Sequence, residues 1–182
     1  EMRPIPVIRE RVAAFRALHF RPTMIGVHLR RAEFLRLLPF SAHNTGPALA
    51  AIRKFLQQFP DAGLYLSTDD GGPDPVTGRR QYEGVREKLR AAFGPRVVWA
   101  EQRTLECGAT EGVQDALVDL LLLRSTDAVV GTWFSSFTEL AAFGRGVPWV
   151  WRRSGGYWRG VEWALRASGT IAWLRRQSQR HY

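Results

Sequence analysis

The chain has 182 residues, of which 45% are hydrophobic, and this size and composition are typical of one compact globular domain. Its 26 basic and 17 acidic residues give a net charge of +9, which attracts phosphate, nucleic acid or an anionic membrane surface and which a coding bias toward arginine explains equally well. No apolar run reaches the roughly 20 residues of a membrane-spanning helix, and the single cysteine, Cys107, excludes a disulfide within these residues and a cysteine-based zinc site.

Hydrophobic periodicity predicts short apolar strands that alternate with helices. In chain order, the predicted elements are a helix over 6–20, a strand over 24–29, a helix over 45–59, a strand over 64–68, a helix over 79–93, a strand over 96–100, a helix over 111–124, a strand over 128–132, a helix over 136–143, a strand over 147–151 and a helix over 161–176. This alternation predicts an α/β fold, a Rossmann-like parallel sheet with helices on both faces. We expect one domain over 1–182, in which the tail 152–182 forms a domain-contact helix.

The helices also have predicted buried faces. In the first helix we expect Val12, Phe15 and Leu18 to face the core, and in the helix over 45–59 the apolar face includes Phe59. In the helix over 111–124 the residues expected to point inward are Val113, Leu117, Leu120 and Leu121.

Polar residues follow three of the predicted strands. They are His28 to Arg31 after the first strand, Asp69 and Asp70 after the second, and Ser135 and Ser136 after the strand over 128–132. In open parallel sheets, ligands bind beyond the carboxyl ends of the strands, at a switch point in strand order. We therefore expect these side chains to converge on one edge of the sheet, in an arrangement that suits a diphosphate.

His28 and Arg30 share one face of their strand because side chains alternate, and Arg31 points elsewhere. A guanidinium beside a departing diphosphate would stabilise the charge that develops as the bond breaks. The alternative is an arginine pair that ends a strand and pairs with surface carboxylates.

Ser136 and Glu139 are spaced as a capping box, which predicts a helix start after Ser135. The free backbone N–H groups of a helix start favour an anion, and the serine hydroxyls add donors. An ordinary helix cap fits the same pattern.

Carboxylates supply two further candidate sites. Asp115 and Asp119 lie on one face of the helix over 111–124, and Asp119 suits either the two N–H donors of a guanine ring or a structural salt bridge. Asp69 and Asp70 suit a divalent metal held partly by a nucleotide, although pairing with arginines is favoured. No glycine-rich dinucleotide motif, P-loop or zinc spacing is present, which disfavours those classes.

Three segments resemble the fucosyltransferase superfamily, which includes α-1,6-fucosyltransferases, nodulation fucosyltransferases and protein O-fucosyltransferases. The segment over 25–31 (IGVHLRR) is similar to the family's His-x-Arg-Arg strand, and the segment over 65–70 (YLSTDD) is similar to its strand ending in Thr-Asp. The residues from Asp119 to Asp127, with 131–136 (GTWFSS), resemble its third motif. The three motifs occur in the family's order over about residues 25–143, and the α-1,6 and nodulation branch is the most similar.

The resemblance implies the C-terminal, GDP-fucose-binding half of a GT-B glycosyltransferase that inverts configuration without a required metal. By motif position, Arg30 is the catalytic residue that holds the β-phosphate, and His28 and Asp119 lie near the guanine. Donor-binding roles are also implied for Ser135 and Ser136 on phosphate, for Phe137 beside them, and for Arg31 near the sugar; supporting roles fall to Asp69, Asp70 and Glu33.

The implied partners are a GDP-sugar donor, a glycan or glycoprotein acceptor and a second GT-B half-domain upstream, with no cofactor and no nucleic acid. Glu33 stands where the family often has Asp, and residues 34–38 lack the Lys and Glu found near fucose in the α-1,6 branch. Two alternatives therefore remain: an inactive nucleotide-sugar-binding domain and, on net charge alone, a basic nucleic-acid-binding domain.

Overall fold

The computed structural model describes residues 4–30, 46–69, 84–104, 109–132 and 135–143, which all lie in one compact unit. The elements within these ranges are Pro6–His19 (α1), Met24–Leu29 (β1), Gly46–Gln58 (α2), Gly63–Thr68 (β2), Val85–Phe93 (α3), a 3-10 turn at Gly94–Arg96, Val97–Val98 (β3), Thr110–Arg124 (α4), Ala128–Gly131 (β4) and Ser136–Ala142 (α5). Outside the described residues lie Arg31, Glu33, Asp70, the strand predicted over 147–151 and the tail 152–182.

The four described strands form one parallel sheet in the order β3-β2-β1-β4, so the prediction of a parallel sheet is confirmed. All six residues of β1 and all six of β2 are buried, because helices cover both faces of the sheet. The chain steps from β1 to β2 to β3 in one direction, and β4 then pairs with the other side of β1. The strand order therefore reverses between β1 and β4.

Alternating side chains of the strands feed two separate hydrophobic cores. On one face, Ile25, Val27 and Leu29 of β1 pack with buried residues of α2 and α3 such as Ile52 and Leu89. On the other face, the core is built from α1, β1, β2, α4 and α5; its buried members are Ile8, Met24, Tyr65, Val118, Leu122, Leu123 and Ala141. His28 shares this second face, since it lies two residues beyond Gly26 and four beyond Met24.

Three predictions about buried faces are wrong. Leu18 of α1 is 77% exposed, Val113 of α4 is 61% exposed and Phe59 after α2 is 45% exposed. In α4 the buried residues are instead Asp115, Val118, Asp119, Leu122 and Leu123. The buried face of α4 is rotated from the predicted one because the carboxylates of Asp115 and Asp119 point into the protein, where polar side chains donate hydrogen bonds to them.

The start of α3 also differs from the prediction of a helix over 79–93. Gly84 has φ of 107°, which is left-handed backbone that a helix cannot include, so α3 begins at Val85. The strand predicted over 96–100 is reduced to Val97–Val98: the 3-10 turn includes Arg96, and residues 99 and 100 have no regular structure. None of the helices in the described ranges is long and apolar enough to cross a membrane.

Candidate functional site

The candidate site lies at the carboxyl ends of β1 and β4, where the strand order reverses. His28 of β1 is in register with Gly131 of β4, so the residues that follow these two strands leave the sheet side by side. Such a reversal opens a crevice between the chains that leave neighbouring strands, and ligands of open α/β sheets bind there. We call this region the β1–β4 edge and define it by His28, Arg30, Thr132, Ser135 and Thr138.

Two threonine hydroxyls hold the end of β1 between its neighbouring strands. Thr132 Oγ1 accepts a hydrogen bond from the backbone N–H of Arg30 at 2.9 Å and donates to the carbonyl oxygen of His28 at 3.1 Å. On the other side, Thr68 Oγ1 donates to the carbonyl oxygen of Leu29 at 2.7 Å. The backbone that carries His28 and Arg30 is therefore fixed by the last residue of β2 and by the residue that follows β4.

His28 is buried, and its imidazole is held from two sides. Nδ1 lies 2.6 Å from Oγ1 of the buried Thr138, and the ring of Phe137 packs against the imidazole with centroids 4.9 Å apart. Burial, together with the positive charge of Arg30, lowers the pKa of His28 to about 3. The imidazole is therefore neutral at neutral pH, and Arg30 supplies the fixed positive charge of this pair.

The helix α5 approaches β4 closely at Gly131. A Cβ atom at this position would lie 1.9 Å from Cγ2 of Thr138, a distance that no packing arrangement accommodates. Only glycine therefore lets α5 come near enough for Thr138 to reach His28. The packing of β4 against α5 and the hydrogen bond to β1 are consequences of the same close approach.

Ser135 is the N-cap residue of α5, with extended backbone. Its side chain makes no capping hydrogen bond, and its buried Oγ has no hydrogen-bond partner among the residues that the structure describes. The predicted capping box at Ser136 and Glu139 is wrong, because Ser136 is already helical and the N-cap lies one residue earlier. The residue three positions after the true N-cap is Thr138, whose hydroxyl bonds to His28 instead.

Asp119 is buried on α4 and accepts three hydrogen bonds from neutral donors. Tyr65 Oη donates to Oδ1, and Ser67 Oγ and Gln102 Nε2 donate to Oδ2 at 3.0 and 3.1 Å. Burial raises the pKa of Asp119, although these hydrogen bonds act in the opposite direction. The salt-bridge alternative for Asp119 does not describe these contacts, and its predicted contact with guanine stays a prediction.

Asp115, one turn earlier, is held by two arginines. Arg11 Nη2 and Arg103 Nη2 donate to Oδ1 at 2.7 and 2.8 Å, and the backbone N–H of Arg103 donates to Oδ2 at 2.7 Å. Burial opposes ionisation, but the hydrogen bonds and charges of the two arginines outweigh it and lower the pKa of Asp115. This carboxylate joins α1, α4 and the segment after β3, which is a structural role.

The described site residues fall into two groups. His28, Arg30, Ser135, Ser136 and Phe137 come together at the β1–β4 edge, and Asp69 follows β2 at the same end of the sheet. Asp119 forms the second group, in which it accepts hydrogen bonds from two side chains of β2 and from Gln102. The contributions of Thr68, Thr132, Thr138 and Gln102 were not predicted, because their partners lie in other elements of the fold. For Thr68 and Thr132, the available signal was a threonine at the end of a buried strand or directly after it.

In the described ranges of the structure, no group of three or more His, Cys, Asp or Glu side chains is placed to hold a metal ion. The expectation of metal-independent chemistry stays a prediction.

Comparison with known proteins gives matches among solved structures. No protein-family profile matches the chain, and no curated protein sequence matches it significantly. A structure of NodZ alpha-1,6-fucosyltransferase soaked with GDP-fucose matches with a TM-score of 0.50 and 26% identity, over 75% of this chain and 41% of that chain.

POFUT1 in complex with GDP-fucose matches with a TM-score of 0.53 and 14% identity, over 75% of this chain and 41% of that one. POFUT1 in complex with GDP matches with a TM-score of 0.52 and the same identity, over 75% of this chain and 43% of that one. The chain therefore has a fucosyltransferase-like fold, and its structural neighbours are GT-B fucosyltransferases. It spans about two fifths of their length.

Proposed function

We propose that the chain is the donor-binding part of a fucosyltransferase and that it binds GDP-fucose at the β1–β4 edge. The observation that carries the proposal is that His28, Arg30 and the start of α5 meet at the strand-order reversal of the sheet. Support comes from the fold, which is shared with NodZ soaked with GDP-fucose and with POFUT1 in complex with GDP-fucose. The polar groups at this edge are of the kind that a nucleoside diphosphate requires.

In the proposed reaction, the hydroxyl of a glycan or glycoprotein acceptor attacks C1 of fucose. The bond from C1 to the β-phosphate oxygen breaks, GDP leaves with the bonding electrons, and the acceptor hydroxyl loses its proton to a base. Attack from the face opposite the leaving group inverts the configuration at C1. The step places additional negative charge on GDP, so a fixed cation at the phosphate lowers the barrier.

We propose that Arg30 stabilises the negative charge that develops on GDP. It is a permanent cation, and its backbone is fixed by Thr132. His28 is neutral and therefore contributes a hydrogen bond rather than a charge. Ser135 Oγ, which is buried without a described partner, is a donor that a phosphate oxygen would satisfy, and Ser136 and Phe137 extend the same edge.

By motif position alone, we propose that Arg31 lies near the sugar and that Glu33 and Asp70 have supporting roles. For Asp119, the three protein donors favour a role in holding β2 and the segment after β3 together, beside the proposed guanine position.

A second candidate is a nucleotide-sugar-binding domain without transfer activity. It is favoured by one sequence observation, that residues 34–38 lack the Lys and Glu found near fucose in the α-1,6 branch. In the GT-B architecture that the resemblance implies, the acceptor cleft needs a second half-domain. The two candidates agree on donor binding and differ only in turnover.

The test is fucose transfer from GDP-fucose in the full-length protein, followed as acceptor-dependent release of GDP. Arg30→Ala should lower turnover by about a hundredfold or more, since it removes a charge-assisted contact to the leaving group. Arg21→Ala is the matched control: Arg21 is exposed and bonds the carbonyl of Asp61 at the opposite end of the sheet. Equal turnover of Arg30→Ala and Arg21→Ala would contradict the catalytic assignment, and GDP binding without any transfer would favour the second candidate.

A further inference from the structure

Thr138 forms a hydrogen bond with His28, and the proposed function assigns no role to this threonine. Its side chain is completely buried on the first turn of α5, and its hydroxyl is 2.6 Å from Nδ1 of His28. Among the described residues, the Thr138 hydroxyl has no other hydrogen-bond partner. The two groups are 110 residues apart in sequence, so the bond ties α5 directly to β1.

The direction of this hydrogen bond follows from the number of donors and acceptors. A hydroxyl has one proton, and buried donors in folded proteins almost always have an acceptor. If Nδ1–H donated to Oγ1, the hydroxyl proton of Thr138 would be left without an acceptor in the described part of the protein. If the hydroxyl donates to Nδ1, both groups are satisfied. A neutral imidazole with an unprotonated Nδ1 carries its proton on Nε2.

We infer that Thr138 is a positioning residue that holds His28 as its Nε2–H tautomer, so that His28 offers a single N–H donor to an acceptor atom of a ligand at the β1–β4 edge. The identity of that ligand as a guanine nucleotide rests on the proposed function, whereas the tautomer does not. The Phe137 ring packs against the imidazole and limits its rotation. Gly131 permits the approach of Thr138, since a Cβ there would overlap the Thr138 methyl group.

The tautomer is measured by nuclear magnetic resonance on the chain labelled with 15N-histidine. The signals of His28 are identified by their loss in His28→Gln. The expected result is a protonated Nε2 and an unprotonated Nδ1 in the wild-type protein. Protonation of Nδ1 in the wild type would overturn the inference whatever the variants do.

Two variants separate the hydroxyl of Thr138 from its shape. Thr138→Val keeps the shape and removes the hydroxyl, so we expect His28 to become a mixture of tautomers. Thr138→Ser keeps the hydroxyl, so we expect the wild-type tautomer to be restored. An unchanged His28 spectrum in a folded Thr138→Val variant would contradict the positioning role.

Affinity for GDP is the second readout. Thr138→Val should weaken GDP binding by about tenfold, the range of one neutral hydrogen bond, and Thr138→Ser should recover most of the loss. Thr110→Val, an exposed change at the start of α4, is the matched control and should bind as the wild type does. Wild-type affinity in Thr138→Val would contradict the inference. Absence of GDP binding by the wild-type chain would instead count against the proposed function, and the tautomer measurement would still decide the role of Thr138.

Discussion

Two polar regions lie on the same face of the sheet, and they differ in how far the protein satisfies its own hydrogen-bonding groups. In the α4 carboxylate network, defined by Asp115, Asp119 and their donors, every carboxylate oxygen accepts a hydrogen bond from the protein. At the β1–β4 edge, the buried hydroxyl of Ser135 has no partner among the described residues. A buried polar group is costly unless it is bonded. The first region is satisfied by the protein itself, whereas the second contains a hydroxyl that the proposed ligand would satisfy.

This contrast predicts that substitutions in the two regions have different effects, which experiments can test. Changes in the network should lower the free energy of unfolding and leave ligand affinity nearly intact. Changes at the β1–β4 edge should do the reverse, except where the backbone itself is displaced.

The largest effect is expected from Asp115→Ala. The change leaves Arg11 and Arg103 without their shared carboxylate, and it should lower the free energy of unfolding by about 3 kcal/mol in urea denaturation. Glu111→Ala, which removes an exposed carboxylate from the same helix, is the control and should cost less than about 1 kcal/mol. Equal losses in the two variants would show that Asp115 is not the joint between α1, α4 and the segment after β3.

Gly131→Ala should cost about 2 kcal/mol of stability, because the added methyl group overlaps Thr138 and the strand and helix must separate. It is also the one change expected to affect both quantities, since it displaces Thr138 from His28. Denaturation and GDP titration of the same sample measure the two effects together. A variant with normal stability and normal affinity would contradict the close approach of α5 to β4.

Tyr65→Phe should cost about 1 kcal/mol, since it removes one of the three donors to Asp119 and leaves the ring in the core. The GDP affinity of this variant decides whether Asp119 belongs to the carboxylate network or to the binding site. An unchanged affinity is expected if Asp119 belongs to the network. A loss of affinity as large as that of an edge variant would place Asp119 in the binding site after all.

The two carboxylates should also respond to acid in opposite directions. The pKa of Asp119 is raised by burial, so its ionised form costs stability at neutral pH, and stability should rise as pH falls through that raised pKa toward about 4. The pKa of Asp115 is lowered despite burial, by the hydrogen bonds and charges of Arg103 and Arg11, so its contribution is complete above about pH 4 and is lost as pH falls through the lowered value.

Urea midpoints across this pH range, for the wild type and for Asp115→Asn and Asp119→Asn, test these signs. Asp119→Asn should remove the rise above about pH 4, and Asp115→Asn should remove the loss below it. The same dependence of the urea midpoint on pH in all three proteins would mean that neither carboxylate has the shifted pKa stated above.

The alternation of elements was predictable because it depends on local sequence. Strands such as Met24–Leu29 and Gly63–Thr68 are buried throughout and apolar in their first four residues, and Gly or Pro residues separate them from the helices. The three strand-end motifs were predictable for a similar reason, since parallel strands bring their carboxyl ends to one edge. Periodicity failed on α4, where Val113 is exposed and Asp115 is buried, because the partner Arg11 lies 104 residues away.

Distance in sequence also explains what was missed in the site. Thr138 reaches His28 across 110 residues, and Gln102 reaches Asp119 from a segment that has no regular structure. Ser136 and Glu139 were expected to form a capping box, but the N-cap is Ser135, and the residue three positions after it is Thr138, whose hydroxyl bonds to His28. These hydrogen bonds depend on the tertiary fold, and a local sequence pattern does not predict them.

The central claim, a guanine nucleotide at the β1–β4 edge, is tested most directly by calorimetric titration of this chain with GDP, with ADP and UDP as controls. The account predicts that GDP binds at least about tenfold more tightly than ADP or UDP, that Arg30→Ala lowers this affinity by about tenfold or more, and that Arg21→Ala leaves it unchanged. The absence of GDP binding, or equal affinity in Arg30→Ala and Arg21→Ala, would contradict it.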